Sequence, residues 1–143
     1  MENQVPFPEE ALMAAAARFS QLNGDHLTDF DLAELRTWGL VEISADDLAE
    51  SILERLRGAV EPPRTFRDSA YFVLGKKFDP SLKSFFVERM EFELSRDMEA
   101  VYQLMIALDN LREPVFAKDR TGYSVLDNDL NRRDAENYLR NFR

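Results

Sequence analysis

Four residues near the start of the chain have the types and the spacing of a metal site. They are Asp25, His26, Asp29 and Asp31. Carboxylate oxygens and imidazole nitrogens bind divalent metals, and His26 is the chain's only histidine. Thr28, however, precedes two aspartates in the pattern of a capped helix start. We favour this second interpretation, with His26 in a turn. A proton-transfer role for His26 stays open in pKa terms, although no nucleophile motif accompanies it.

A second acidic segment, Asp127-Asn128-Asp129-Leu130-Asn131, resembles the start of a calcium-binding EF-hand loop. The sixth position of such a loop would be Arg132 where glycine is needed. Its twelfth position would be Tyr138 where a bidentate glutamate is needed. We therefore reject a calcium site here.

A third acidic segment raises the question of hydrolysis by paired carboxylates. Its members are Glu88, Glu91, Glu93, Asp97 and Glu99. Paired catalytic acids face each other across a cleft, whereas these residues follow one another along adjacent helical turns. Arg89 and Arg96 alternate with them, which predicts local ion pairs of about 0.2–0.5 kcal/mol each. We predict that this segment is a solvated helix face.

The residues and motifs that other common reaction types require are absent from the sequence. The chain has no cysteine, which excludes disulfides, thiolate catalysis and zinc–thiolate sites. The motifs of phosphate-binding loops, serine hydrolases, dinucleotide-binding folds and zinc proteases are absent from the sequence. We expect a protein that is not an enzyme, with no catalytic, metal-binding or cofactor-binding residues.

Charge is distributed unevenly along the chain. The net charge of −9 disfavours nucleic acid, whose phosphates require clustered lysine and arginine. Residues 1–64 hold 13 acidic and 5 basic residues, a net of −8, whereas residues 65–143 hold 14 and 13, a net of −1. The excess either serves solubility or attracts a basic protein partner. For the second case we predict a partner-binding acidic face formed by Asp25, Asp29, Asp31, Glu34, Asp46 and Asp47.

The beginning of the sequence does not resemble a secretory signal. It has acids where a signal needs basic residues, and Arg18 interrupts the apolar run. No stretch has the 18 or so uninterrupted apolar residues of a membrane span. We expect a cytoplasmic protein that has no membrane partner.

Helix signals recur along the whole chain and predict one all-α domain over residues 1–143, with a loose lead-in at 1–7. The predicted starts are Pro8, Thr28, Ser44, Thr65, Asp79-Pro80, Ser95 and Asp127 or Asn128. The predicted stops include Gly24, Gly39, Gly58 and Gly75. The apolar side chains predicted on the second helix are Phe30, Leu32, Leu35 and Trp38. Residues 112–126 are predicted to form a turn-rich loop. The alternative for residues 115–125 of this loop is a small extended arm.

Most aromatic side chains are predicted to lie in the core. Phe92 lies off the apolar stripe of its helix, and Tyr123 lies in the loop. These two residues are candidates for exposed anchors that bind a partner.

The segment from Leu74 to Leu111 has the clearest pattern of the chain. It predicts a turn, a helix, a break at Leu94-Ser95-Arg96 and a second helix. Leu74 and Leu108 lie 34 residues apart, a period typical of helical-hairpin repeats. One hairpin cannot cover its own apolar face, whereas several stacked hairpins can.

Residues 70–111 resemble HEAT-like repeats, in which antiparallel helix pairs stack. The resemblance is carried by Leu74-Gly75-Lys76, Asp79-Pro80-Ser81-Leu82 and Ala107-Leu108. It is weaker elsewhere, and loop 112–126 departs from the pattern. The resemblance implies stacked antiparallel hairpins in a short α-solenoid, and the alternative is a helical bundle without repeats.

Small acidic helical-repeat proteins of this kind are similar to bacterial immunity proteins, which neutralise a cognate toxin by covering its active site. The resemblance implies a non-catalytic module that binds one protein. Two alternatives stay open. One is an adaptor or regulatory subunit of a larger complex, and the other is an enzyme similar to the lyases that use HEAT-like repeats to attach chromophores.

Overall fold

Seven α-helices account for most of residues 6–142, the part of the chain that this computed structural model describes. They are α1 (Leu12–Leu22), α2 (Asp29–Thr37), α3 (Ala45–Arg57), α4 (Arg64–Gly75), α5 (Lys83–Glu93), α6 (Met98–Asn110) and α7 (Asn128–Phe142). Short 3₁₀ helices precede α1 and α5, at Glu9–Ala11 and Pro80–Leu82. The described residues contain no β-strand, which confirms the all-α prediction. The predicted lead-in at 1–7 lies mostly outside them.

The starts of α2 and α3 and the ends of α1 and α2 follow their sequence signals. The side-chain oxygens of Thr28 and Ser44 each accept a hydrogen bond from the backbone N–H three residues later, both at 3.1 Å. Gly24 and Gly39 follow α1 and α2 with φ of +99° and +69°. Glycine adopts this left-handed conformation without steric strain, so the chain reverses there at little cost.

The predicted start at Ser95 was wrong by two residues. Asp97 is the cap of α6, and its carboxylate accepts a hydrogen bond from the Glu99 N–H at 3.0 Å. The N–H groups of Arg96 and Asp97 both donate to the Glu93 carbonyl at 2.8 Å. These bonds prolong the turn after α5 past Ser95, so the carboxylate of Asp97 is the first cap available.

The helices fall into two compact units. The first ends at Lys77 and the second begins at Phe78. In the first unit, α1 packs against α2, α3 and α4, and α3 also packs against α4. Its largest fully buried side chains are Leu12, Phe19, Leu35, Leu48, Ile52, Phe66, Tyr71 and Leu74. Burying each such side chain contributes about 1.5–3 kcal/mol. Because α1 packs against each of the other three helices, it is the central helix of this unit.

The second unit is a three-helix bundle. Each of α5, α6 and α7 packs against the other two. The large side chains that are fully buried between them are Phe86, Met90, Leu104 and Met105. Loop 112–126 connects α6 to α7 and buries Val115 and Phe116 against the bundle's apolar interior.

The hairpin predicted between Leu74 and Leu111 is present as α5 and α6, which are joined through the break at 94–97. Leu74, however, belongs to α4 of the first unit, whereas Leu108 belongs to α6 of the second. The described residues therefore show seven packed helices, and no repeat is identified among them.

The extended arm considered for residues 115–125 was wrong. The segment contains no strand and instead turns twice, where Arg120 N–H donates to the Ala117 carbonyl and Asp127 N–H donates to the Ser124 carbonyl. Two turns this close together leave too few extended residues for a strand pair.

Candidate functional site

Four of the six acidic residues proposed as a partner-binding face lie at helix starts of the first unit. Asp29 and Asp31 lie in the first turn of α2, and Asp46 and Asp47 lie in the first turn of α3. Carboxylates are stabilised at these positions by the positive end of the helix dipole. A structural role at the helix starts therefore accounts for the placement of four of the six acids.

Polar contacts tie the start of α3 to the ends of α1 and α4. The Asn23 side chain, just after α1, donates to the Lys76 carbonyl at 2.8 Å. Lys77, beyond the end of α4, places its Nζ 2.7 Å from Asp46 Oδ1. Because Asp25 follows Asn23 by two residues, it lies near the same end of the unit. The structure thus gathers part of the predicted face.

Most of the charge on this face is uncompensated. Asp46 is the exception, because it pairs with Lys77. Within residues 6–142, no cation pairs with the carboxylates of the other five acids, which are Asp25, Asp29, Asp31, Glu34 and Asp47. Solvated carboxylates without a cationic neighbour create a negative potential that attracts a basic surface. The first unit therefore carries five carboxylates whose charge no described cation compensates.

An exposed aromatic ring lies within this acidic face. Phe30, in the first turn of α2 between Asp29 and Asp31, is 71% exposed. Phe30 lies on α2 as predicted, but among the apolar side chains of this helix only Leu35 is buried. Five residues of helix rotate a side chain through about 140° relative to its starting face, so Phe30 and Leu35 cannot share a face. That spacing was the available signal.

Trp38 directly follows the last turn of α2 and is 36% exposed. Eight residues of helix rotate a side chain by about 80°, whereas three rotate it by about 60° in the opposite sense, so Trp38 lies closer around the helix to the buried Leu35 than to Phe30. The two exposed rings of this segment therefore lie on different sides of it.

A cleft of about 800 Å³ is lined in part by Trp38, and all of its lining residues belong to the first unit. Four segments contribute to its walls: residues 6–8, 38–43, 51–58 and 60–63. Its apolar lining consists of Pro6, Phe7, Pro8, Trp38, Leu40, Ile43, Val60, Pro62 and Pro63. Rings and prolines predominate, and such side chains lose little conformational entropy when a ligand covers them.

The charged residues of the cleft leave a negative charge accessible. Arg55 is occupied internally, because its Nη1 donates to the Phe7 carbonyl at 2.6 Å and its guanidinium carbon lies 3.9 Å from the Phe66 ring centroid. Glu61 lies 4.0 Å from Arg67, the edge of ion-pair distance. Glu54 is exposed, and no described cation pairs with it. A cationic group entering the cleft would therefore meet a free carboxylate.

The two aromatic residues predicted as anchors lie in the second unit. Phe92 is half-buried, with the guanidinium carbons of Arg89 and Arg96 at 4.2 Å and 3.9 Å from its ring centroid. Tyr123 stacks on Phe116 with a centroid distance of 3.9 Å but is 47% exposed. Phe92 is thus occupied by internal cation–π contacts, whereas Tyr123 retains an open surface.

Arg120 organises the loop between α6 and α7. Its side chain is only 2% exposed. Nη1 donates to Asn131 Oδ1 at 2.8 Å and to Asp134 Oδ2 at 3.2 Å, which ties the loop to α7. The guanidinium carbon also lies 5.3 Å and 5.5 Å from the ring centroids of Phe116 and Tyr123. The sequence pattern did not indicate this buried network.

This network lowers the pKa of Asp134 and so favours its ionised carboxylate. Burial opposes ionisation, but the Ala117 N–H and the guanidiniums of Arg133 and Arg120 outweigh it, so the pKa lies below its ordinary value. The carboxylate accepts from Ala117 N–H at 3.1 Å and from Arg133 Nε at 3.0 Å. No sequence pattern indicates this role of Asp134, because it depends on where the loop folds back against α7.

Glu113, Tyr138 and Lys83 form a second polar cluster in this unit, beside a cleft of about 400 Å³. Tyr138 Oη donates to Glu113 Oε1 at 2.7 Å, and Lys83 Nζ lies 2.9 Å from the same oxygen. The hydrogen bond from Tyr138 is the main reason that the pKa of Glu113 is lowered. Burial, and then the neighbouring Glu113 carboxylate, raise the pKa of Tyr138. Because its pKa is raised, the Tyr138 phenol stays protonated and donates a hydrogen bond that ties α7 to the start of loop 112–126.

The solvated face predicted for the acidic segment of α5 and α6 was partly wrong. Its exposed members are Glu88, Glu91 and Glu99. Glu93 is fully buried, and Asp97 is nearly so. Glu93 follows the buried residues Phe86 and Met90 by seven and three positions, so it lies on their face of α5. A carboxylate oxygen of Glu93 lies 3.9 Å from Arg89 Nη2.

The metal alternative finds no support in the geometry of residues 6–142. Within this range, no three histidine, aspartate or glutamate side chains converge to hold a metal ion. The four residues from Asp25 to Asp31 follow the helix-start interpretation, with Thr28 as the cap of α2. None of the helices in the described range is long and apolar enough to cross a membrane.

Comparisons of the chain with models of protein families, with curated proteins and with solved structures gave no match. The geometry of the first unit therefore carries the functional proposal.

Proposed function

We propose that the protein is a non-catalytic module that binds a basic protein through its first unit. The supporting observation is Phe30, which is 71% exposed between two aspartates whose carboxylates have no described cationic partner. An aromatic centre within a charged rim is the anatomy of a binding hot spot. An exposed aromatic ring lowers solubility, and a partner that covers the ring removes this apolar surface from water.

The two components of the surface have different roles in docking. The unpaired carboxylates of the acidic face raise the association rate of a basic partner, and this effect weakens as salt screens the charges. Burial of Phe30 lowers the dissociation rate, because removing a phenyl ring from water contributes about 1.5–3 kcal/mol. The proposed mechanism is therefore electrostatic steering followed by insertion of the ring.

The finer proposals concern the arrangement and the consequence of binding. In this proposal, the hairpin of α5 and α6 is one HEAT-like repeat unit, supported by its short connection at 94–97. An immunity protein that neutralises a toxin and an adaptor that holds a partner share the same docking step. They differ in whether the bound partner loses its own activity, which an activity assay on the captured partner distinguishes.

Affinity capture from the native host tests the docking step. Tagged protein is compared with the triple variant Asp29→Asn/Phe30→Ser/Asp31→Asn at low and at high salt. We expect the wild type to capture a basic protein at low salt. This capture should be lost at high salt, and it should also be lost with the triple variant. The matched control is Glu88→Gln/Glu136→Gln, which removes the same number of charges from exposed positions of the second unit.

The control variant should capture the same partner as the wild type. Capture that is equally strong in low and high salt, and that survives the triple variant, would show that the acidic face and Phe30 do not bind. Identification of the captured protein by mass spectrometry supplies the subject for the activity assay.

A further inference from the structure

We infer that the cleft of the first unit binds an extended segment of the basic partner, in which an arginine is flanked by apolar residues. The inference rests on the proposed function and specifies a second contact within it. The cleft combines an exposed tryptophan, several prolines and a free carboxylate, Glu54. Each of these features matches one part of such a segment.

The apolar walls fit an extended chain. The volume of about 800 Å³ lies within the range of ~300–1,000 Å³ found for ligand clefts, so it admits a few side chains and not a folded domain. Phe7, Trp38 and the pair Pro62-Pro63 present flat, rigid surfaces from three separate segments. Grooves lined by aromatic residues bind extended and proline-containing peptides, because little entropy is lost on either side.

The charge of the cleft selects a cation. Glu54 has no described cationic partner, whereas the only arginine of the lining, Arg55, is held by the Phe7 carbonyl and the Phe66 ring. A guanidinium brought against Trp38 gains a cation–π contact in addition to its attraction to the carboxylate. An anionic ligand would be repelled, and a neutral ligand would leave the charge of Glu54 unused. Charge complementarity therefore favours an arginine-containing segment.

Trp38 provides a direct measurement, because it is the only tryptophan of the chain. Its fluorescence is titrated with the synthetic peptide acetyl-Pro-Leu-Pro-Arg-Leu-Pro-amide and with the same peptide carrying glutamine in place of arginine. We expect the arginine peptide to produce a saturable blue shift and protection from acrylamide quenching. The glutamine peptide should bind about fivefold more weakly, the effect of losing an exposed ion pair and a cation–π contact.

Variants of α3 separate the contact from the general negative field. Glu54→Gln should weaken binding of the arginine peptide about threefold, as expected for one exposed ion pair. Glu50→Gln is the matched control, since Glu50 is exposed, lies one helical turn earlier and does not line the cleft. It should leave the affinity nearly unchanged. Circular dichroism of both variants verifies that their helical content is that of the wild type.

The outcomes divide clearly. Equal affinity for the two peptides, or equal effects of Glu54→Gln and Glu50→Gln, would refute the arginine assignment. An unchanged Trp38 spectrum at saturating peptide concentration would refute the cleft as the binding site. Phe30→Ser should retain peptide binding while losing partner capture, so failure of the peptide experiment alone leaves the proposed docking through Phe30 intact.

Discussion

Replacement of Arg120 by methionine removes the charge that holds loop 112–126 against α7. Methionine keeps most of the apolar volume of the side chain but loses the hydrogen bonds to Asn131 and Asp134. Asp134 is buried, so its carboxylate would lose one of its cationic partners without gaining water. We expect a clear loss of stability for this reason.

The magnitude follows from the partners that remain. Breaking a buried ion pair typically costs about 3–5 kcal/mol, because the partner's charge is left uncompensated. Asp134 keeps Arg133 and the Ala117 N–H, and Arg120 Nε has no hydrogen-bond partner among the described residues, so its loss removes one unsatisfied donor. Both facts favour the lower end, about 3 kcal/mol. For a chain of this length, that corresponds to a decrease in Tm of roughly 10 °C.

The assay is thermal and urea unfolding followed by circular dichroism. Lys118→Met is the control, because Lys118 is exposed in the same loop and no described acid pairs with it. The double variant Arg120→Met/Asp134→Asn should lose less free energy of unfolding than the two single variants lose together. The reason is that the double variant no longer buries the Asp134 carboxylate that has lost Arg120. A Tm for Arg120→Met within about 2 °C of the wild type would refute the reasoning, as would strict additivity.

Three further substitutions test the polar cluster, a buried ring and the exposed ring. The lowered pKa of Glu113, due mainly to the Tyr138 hydrogen bond, stabilises the fold above the ordinary glutamate pKa of about 4.3 and is lost as pH falls through the folded-state pKa. Glu113→Gln should therefore reduce the fall in urea midpoint between about pH 6 and about pH 3, and an unchanged acid dependence would contradict this role. Phe66→Ala, at a fully buried ring, should cost about 3–5 kcal/mol, whereas Phe30→Ser should stay within about 0.5 kcal/mol of the wild type in the same unfolding assay. A large loss for Phe30→Ser would show that its ring serves folding and not binding.

Much of the helical structure was predictable from local signals. Thr28 and Ser44 cap the helices that follow them, and Gly24 and Gly39 reverse the chain after α1 and α2. These signals work because a cap bonds a backbone group only two or three residues away. Ser95 failed as a cap because the turn after α5 continues past it, so Asp97 caps α6 instead. Local rules alone do not choose between such neighbours.

The candidate site was only partly predictable. The acidic residues were identified from composition, and the structure confirms that Asp29, Asp31, Asp46 and Asp47 lie at helix starts. Phe30 was predicted only as an apolar side chain of α2, although its five-residue spacing from Leu35 places the two on different faces of the helix. Only the packing of α1 against α2 shows that Leu35 is the buried residue.

Local sequence signals were sufficient to predict that this chain is helical and where most of its helices begin and end, and composition shows that its net negative charge lies almost entirely before residue 65. These properties depend on contacts within about four residues along the chain, or on composition alone. Long-range packing sets which side chains stay exposed, which segments line the cleft, and how Arg120 joins a loop to α7. These features bring together groups that are far apart in sequence, so their burial and pairing depend on long-range packing that no local pattern specifies.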